Sequence, residues 1–275
     1  MGFPCRARPP SRRPPPSRAP AGVWLVAAAA AVAVAVTAAA AAVAAAAAHT
    51  FTPQQLEGPF FLDTRSLRSD LTNGRPGVPL YLSLYVMSGC NARGEGCKPR
   101  PDALVDVWHT DSRGIYSGFA DRGINATASD WMRGAAITRP DGRVLFRSVI
   151  PGWYPGRLAH VHVKVRLAGL AAPIAPAYSY GGGGGGWRGF TTQLYLPDPL
   201  VRSVYANPPY RSLGGYDSDV GRDIVLAGNA AQYAALTMDL WPATTAWVEQ
   251  HGLTSGTPDR WGTGYVAKYT LRLRA

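Results

Sequence analysis

Two of the chain's five histidines, His160 and His162, stand two residues apart in the run AHVHVKVRL. On a β-strand, residues i and i+2 leave the same face, so both imidazoles would project together. Two neutral imidazoles on one rigid strand can chelate a single metal ion without rearranging a loop. The same pair can equally pack and hydrogen-bond without any metal, and the spacing alone leaves both readings open. Val161, Val163 and Val165 fall on the opposite face, which suits burial. Just upstream, Pro151 to Arg157 (PGWYPGR) forms a Gly/Pro-dense approach that would hold Tyr154 and Arg157 near the histidines rather than free in solvent. A second aromatic segment, VWHTDSRGIYSG from Val107 to Gly118, ends a strand and turns through Gly114 before presenting Tyr116. Each tyrosine taken singly also reads as an ordinary packed aromatic.

The elements that must carry these residues read as β. Pro79 to Met87 (PLYLSLYVM), Ala103 to Trp108, Val144 to Ile150, Ala159 to Leu167, Thr191 to Leu196 and Tyr265 to Leu273 are apolar or alternating runs of strand length. Turn signals separate them at Asn73-Gly74, Ser112-Arg113-Gly114, Pro140-Asp141-Gly142 and Pro155-Gly156. One helical stretch is expected, over Ala230 to Leu240 behind Gly228-Asn229, and Gly181 to Gly186 reads as a loop insertion. Many short strands with regular punctuation predict an all-β chain, a β-sandwich with long loops and little helix.

The two blocks VDVWHTDSRGIYSGF and MRGAAITRPDGRVLFRSVIPGWYPGRLAHVHVKV, with LEGPFFLD at Leu56 to Asp63 and TTQLYLPD at Thr191 to Asp198, strongly resemble the intradiol ring-cleavage dioxygenases, the catechol and protocatechuate dioxygenase family. The resemblance covers about residues 52 to 200 and loosens toward the C-terminus. It implies one iron(III) per chain bound by Tyr116, Tyr154, His160 and His162, with a small aromatic diol and O2 as substrates and a muconate-type diacid as product. It further implies that Tyr154 leaves the metal to accept a substrate proton, that Arg157 stabilises negative charge developing on the ring, and that Gln193 hydrogen-bonds beside the metal. Such a donor set is chemically coherent: two phenolates and a hydroxide balance a trivalent cation, and two neutral imidazoles add bonds without charge. His109, beside Trp108, is expected to be structural, while His49 and His251 carry no motif.

This sequence departs from the family pattern at Ala136 and Arg139, where a glutamine and an aspartate are usual. No helical pairing region precedes the sandwich, so the chain resembles the exported, single-domain branch. Two rival readings accompany the enzyme. One is an inactive β-sandwich that binds an aromatic or a partner, and the other a copper or zinc enzyme using only His160 and His162.

Charge and composition bound the remainder. The formal net charge is +11, but Arg6, Arg8, Arg12, Arg13 and Arg18 contribute five of those charges ahead of an uncharged Ala/Val tract from Val23 to Ala48. What is left is scattered, with no basic stripe interleaved with aromatics, so no nucleic-acid partner is expected. Residues 1–48 read as a signal peptide or signal anchor ahead of a domain over 49–275. The domain is then secreted or membrane-anchored outside the cytosol, touching membrane only through an uncleaved tract; plastid import is the alternative. Cys90 and Cys97 flank a polar, glycine-bearing loop able to curl back, so they are a candidate disulfide in an oxidising compartment.

Overall fold

The computed structural model describes residues 51–64, 66–167, 189–253 and 263–274. The tract 1–48, His49 and the glycine run 181–186 lie outside the described residues. Along the chain run β1 (Pro79–Ser88), β2 (Lys98–Pro99), β3 (Leu104–Trp108), β4 (Ala120–Asp121), β5 (Ile124–Asn125), β6 (Arg133–Ile137), β7 (Arg143–Val149), β8 (His160–Arg166) and β9 (Gly189–Tyr195). There follow α1 (Asp198–Tyr205), a 3-10 turn (Tyr210–Leu213), α2 (Ala230–Leu236), β10 (Asp239–Pro242), α3 (Thr245–Gln250) and β11 (Tyr265–Arg272).

The strands build a sandwich. In one sheet β1 runs between parallel β11 and antiparallel β7, with β2 pairing its C-terminal end and β10 outside β11. The other sheet is antiparallel throughout, in the order β6-β3-β8-β9. The alternation expected of β1 places Leu80, Leu82, Leu84 and Val86 in the core, and its Tyr81 packs instead with Val266 and Ala243 near Trp247 of α3. From the second sheet the core takes Val105, Val107, Val161, Val163, Val165, Phe190 and Leu194. Burying a valine side chain is worth about 1.5–3 kcal/mol, and three of them fix β8, since a one-residue slip would turn all three outward. His160 and His162 therefore leave the outer face of a strand that cannot change register. That face is covered at the histidines: Gln193 Nε2 donates to Leu56 O at 2.8 Å and Tyr195 Oη to Gln55 Oε1 at 3.1 Å, laying the segment around residues 55–56 over β9.

Three local expectations are corrected. The helix begins behind Asn229, whose side chain caps it by accepting from Gln232 N–H, but it stops at Leu236 rather than Leu240. Thr237 turns extended, and Asp239–Pro242 pairs with β11 as an edge strand. Helices α1 and α3 were not anticipated; they are eight and six residues long, too short for a helical period to stand out. α1 carries Pro199 in its first turn and buries Val201, Val204 and Tyr205 on one face, and Thr244 caps α3, but each signal spans two turns at most. The strand β6, within RGAAI, has no signature in the sequence because glycine and alanine carry no alternation. The turns at Asn73-Gly74, Gly114, Gly142 and Gly156 form as expected, each with its glycine at positive φ. Cys90 and Cys97 are joined by a disulfide. Among the described residues no helix is long and apolar enough to cross a membrane.

Candidate metal centre

Cross-strand register assembles the wall of the site. On the outer face of the second sheet Trp108, His162 and Gln193 stand directly opposite one another on β3, β8 and β9, and Tyr195 stands opposite His160. Trp108 stacks flat on His162, with ring centroids 4.7 Å apart and planes 11° from parallel. His162 Nδ1 has no hydrogen-bond partner, so this stacking orients the ring. His160 is oriented differently: its Nδ1 lies 2.6 Å from Leu158 O. A carbonyl only accepts, so Nδ1 carries the proton and the lone pair of His160 sits on Nε2.

Two loops bring the phenols to those imidazoles. Tyr116 Oη lies 3.0 Å from His162 Nε2 and 3.3 Å from His160 Nε2. Tyr154 Oη lies 3.5 Å from His160 Nε2, and the two Nε2 atoms are 3.2 Å apart. Four side-chain atoms from three separate segments thus converge on one point. Neighbouring ligands of one ion at bond lengths of about 2.0–2.2 Å are separated by similar distances. Tyr116, His160 and His162 are buried at 2%, 4% and 2% exposure, while Tyr154 is half-buried and forms the open side. Among the described residues no group of three His, Cys, Asp or Glu side chains converges elsewhere as a metal site. A separate cleft of about 510 Å3 bounded by Arg68, Asp70, Arg75 and Arg147 shares no residue with the tetrad.

Electrostatics fit a cation at this point. Burial, then the charge of Arg157, holds His160 well below the ordinary imidazole range, and burial, then His160 and Arg157, does so for His162. Both rings are neutral at physiological pH, the state a metal needs. Burial, then Tyr154, pushes the Tyr116 phenol well above its ordinary range, so Tyr116 ionises only if a strong positive charge adjoins it. A hard trivalent ion supplies such a charge, and two phenols with two lone-pair nitrogens are a donor set suited to it.

Arg157 is 5% exposed, and each of its three nitrogens has one acceptor. Nη1 donates to Tyr154 Oη at 3.3 Å, Nη2 to Gln193 Oε1, and Nε to Asp223 Oδ2 at 3.2 Å. Gln193 Nε2 in turn donates to Leu56 O at 2.8 Å. All six singled-out residues (Tyr116, Tyr154, Arg157, His160, His162 and Gln193) therefore lie in one hydrogen-bonded or stacked cluster. Sequence reasoning missed two others. Asp223 belongs to a loop with no motif. Arg133, 2% exposed, donates to Ser117 O and Phe60 O, and its guanidinium lies 6.0 Å from the Tyr116 ring centre. Burial pulls Arg133 down to about 10, which leaves it charged at neutral pH. Phe60 stacks on Tyr116 at 4.4 Å and closes that side of the site. The departures at Ala136 and Arg139 fall in β6 and the exposed turn after it, where Arg139 N–H pairs with Arg143 O, away from the buried tetrad.

His109 is wholly buried and faces elsewhere: Nδ1 meets Thr110 O and Nε2 meets Ser148 Oγ, both at 2.7 Å. Burial lowers it to about 4 from an ordinary 6.5. The unfolded chain therefore takes up a proton near pH 6.5 that the folded chain refuses until about pH 4. Stability from this group is complete above 6.5 and lost as pH falls, by up to about 3 kcal/mol. Urea denaturation of wild type and His109→Gln between pH 7.5 and 4.5 should show a steeper loss in the wild type. Parallel curves would contradict the assignment.

Residues 56–208 match the family described as Dioxygenase, more than half of the chain. Curated relatives include a chlorocatechol 1,2-dioxygenase of Pseudomonas sp. (strain P51), 29% identical over 154 residues, covering 46% of this chain and 55% of the relative. Catechol 1,2-dioxygenase 2 of Acinetobacter lwoffii is 35% identical over 180 residues, covering 56% and 55%. The chain thus spans about half the length of these relatives. In fold it is similar to an intradiol ring-cleavage dioxygenase from Tetranychus urticae, with a TM-score of 0.58 at 20% identity over 82% of this chain and 95% of that one. The chain belongs to the intradiol ring-cleavage dioxygenase family, whose members typically use Fe(III).

Proposed function

We propose that the chain is an iron(III) dioxygenase that cleaves a catechol-type ring between its two hydroxylated carbons, placing both atoms of O2 in a muconate-type diacid. The observation that carries the reading is the convergence of Tyr116 and Tyr154 Oη with His160 and His162 Nε2, all within 3.0–3.5 Å of a neighbour in the set. These four residues would hold one ferric ion. Bound there, the ion supplies the Lewis acidity that ionises the phenols and the diol, and the electron sink that opens the ring to O2.

The chain's own residues divide the remaining work. Tyr154, half-buried on the open side and hydrogen-bonded to Arg157 Nη1, would as a phenolate accept one proton of the entering diol at its oxygen. Arg157, held by Gln193 and Asp223, stays charged and aimed at the same point: burial would lower it, but Tyr154, Asp223, Tyr195 and Tyr116 together outweigh burial and raise it. A fixed cation there stabilises negative charge as it builds on the ring. Gln193 transmits the position of the N-terminal segment to Arg157 through Leu56 O. Phe60 and Trp108 keep water from the inner side of the tetrad.

We further propose that the domain works outside the cytosol, a reading supported by the Cys90–Cys97 disulfide, since such bonds persist in oxidising compartments. The deciding experiment is anaerobic titration of the iron-loaded protein with a panel of catechols, followed by admission of O2. A shift of the visible absorption band on binding, then a ring-opened diacid, is expected. Binding without turnover would mark an inactive aromatic-binding sandwich, and extradiol products would contradict the mechanism.

A further inference from the structure

The loop carrying Asp223 lies outside residues 56–208, the stretch shared with the dioxygenase family. It nonetheless reaches the centre of the site. Its carboxylate is 0% exposed and accepts four N–H groups. Oδ1 accepts from Val225 and Leu226 N–H at 2.9 and 3.0 Å and closes the loop on itself. Oδ2 is directed elsewhere, to Leu158 N–H at 2.8 Å and Arg157 Nε at 3.2 Å. Ile224 N–H meanwhile donates to Gly156 O at 3.0 Å. The turn that bears Tyr154 and Arg157 is therefore gripped on both sides by residues 223 and 224. The loop itself is firm: Asp219 Oδ1 accepts from Gly221 and Arg222 N–H, Ala227 N–H donates to Asp223 O, and Leu226 is buried in the core.

A carboxylate that only closed this loop would need Oδ1 alone. Burying the second oxygen against a guanidinium costs desolvation that only a well-formed ion pair offsets. With Nε anchored, the planar fork leaves Nη1 and Nη2 no freedom except toward Tyr154 and Gln193. We propose that Asp223 is the positioning residue of Arg157: it sets the guanidinium against the phenol that exchanges a proton with substrate, and balances its charge. This deepens the ring-cleavage reading above and rests on it.

Asp223→Asn keeps an oxygen for the loop but turns an N–H2 group toward the donors of Arg157 and Leu158. Misplacing a positioned group by about 1 Å can cost on the order of 100-fold, so kcat should fall by about 10- to 100-fold with KM changed by less than about threefold. Arg157→Gln should lose a comparable factor, and the double variant no more than Arg157→Gln alone, because the first residue acts through the second. In the metal-free protein, the Arg157 Nε–H proton should be slow to exchange by NMR in the wild type and fast in Asp223→Asn. A variant within twofold of wild-type kcat, losses that multiply, or an Nε–H signal indifferent to the substitution would each overturn the assignment. If the asparagine variant does not fold, Asp223→Glu carries the test. It keeps the charge but moves the carboxylate one methylene, so kcat should drop at least about threefold, and wild-type kcat would overturn the proposal. A wild type that opens no catechol overturns the ring-cleavage reading instead, and the exchange measurement on metal-free protein still decides what Asp223 holds.

Discussion

Exchanging His162 for alanine is expected to lower ferric iron retention by more than 100-fold and to reduce ring cleavage below detection. Loss of a hydrogen-bond partner behind a ligand typically costs about 10- to 100-fold in metal affinity, and loss of the ligand itself should cost more. His162 also lies between Trp108 and Tyr116, stacked at 4.7 Å on one side and 3.0 Å from the phenol oxygen on the other. Alanine would leave Tyr116 facing a gap. Tyr116→Phe probes the charge of the same site. Removing one phenolate leaves a trivalent ion short of a counter-charge on the buried side of the site, so iron should again be lost, together with the phenolate absorption. A copper or zinc site made only by His160 and His162 would tolerate Tyr116→Phe and lose metal only on histidine replacement. Iron analysis after dialysis of the two variants separates the readings, with His109→Gln as the control that should retain one iron per chain. Full retention by Tyr116→Phe would remove Tyr116 from the donor set.

Why these residues could be read from sequence while others could not is a matter of range. His160 and His162 share one face through a period of two, and Gly-bearing turns place Tyr116 and Tyr154 locally, while the family resemblance is what joins the four into one donor set. The major strands are legible for the same reason, because Leu80, Leu82 and Leu84 alternate with residues of another kind. Asp223 meets Arg157 across 66 residues of sequence, from a loop whose composition resembles any polar turn. Arg133 acquires its place from pairing opposite Trp108 and from carbonyls at Ser117 and Phe60, none of which its own neighbours specify. Asp239 and Leu240 read as the end of a helix until β11 offers the segment Asp239–Pro242 an edge. The family resemblance extended the reach of the sequence across such gaps only where a motif was matched, which is why Gln193 was found and Asp223 was not.

Gly152→Ala should damage the protein as severely as loss of a ligand, by a different route. Tyr116 and Tyr154 sit on two loops that meet backbone to backbone: Gly152 N–H donates to Asp111 O at 2.9 Å, and Thr110 Oγ1 donates to Gly152 O at 2.6 Å. A β-carbon on Gly152 would come 2.5 Å from Gly114 N and 2.6 Å from Ser112 O, and one on Gly114 would strike Trp153 O. Main-chain atoms, unlike a flexible side chain, cannot swing aside, so the loops must part. Gly152 does not need a left-handed backbone, so the cost is collision rather than dihedral strain. Overpacking a filled interior usually costs about 1–3 kcal/mol, and with both loop-to-loop hydrogen bonds stretched we expect the top of that range or beyond. Because the parting loops carry one phenol each, iron retention should fall with stability, although no donor has been touched. Gly215, with open space around its α-carbon, is the matched control: Gly215→Ala should change stability by less than about 1 kcal/mol and leave the iron in place. Denaturant midpoints and iron content of the two variants decide the matter. If Gly152→Ala matched Gly215→Ala in both, the two tyrosine loops would not be held at their separation by backbone contact, and the convergence of the phenols would need another cause.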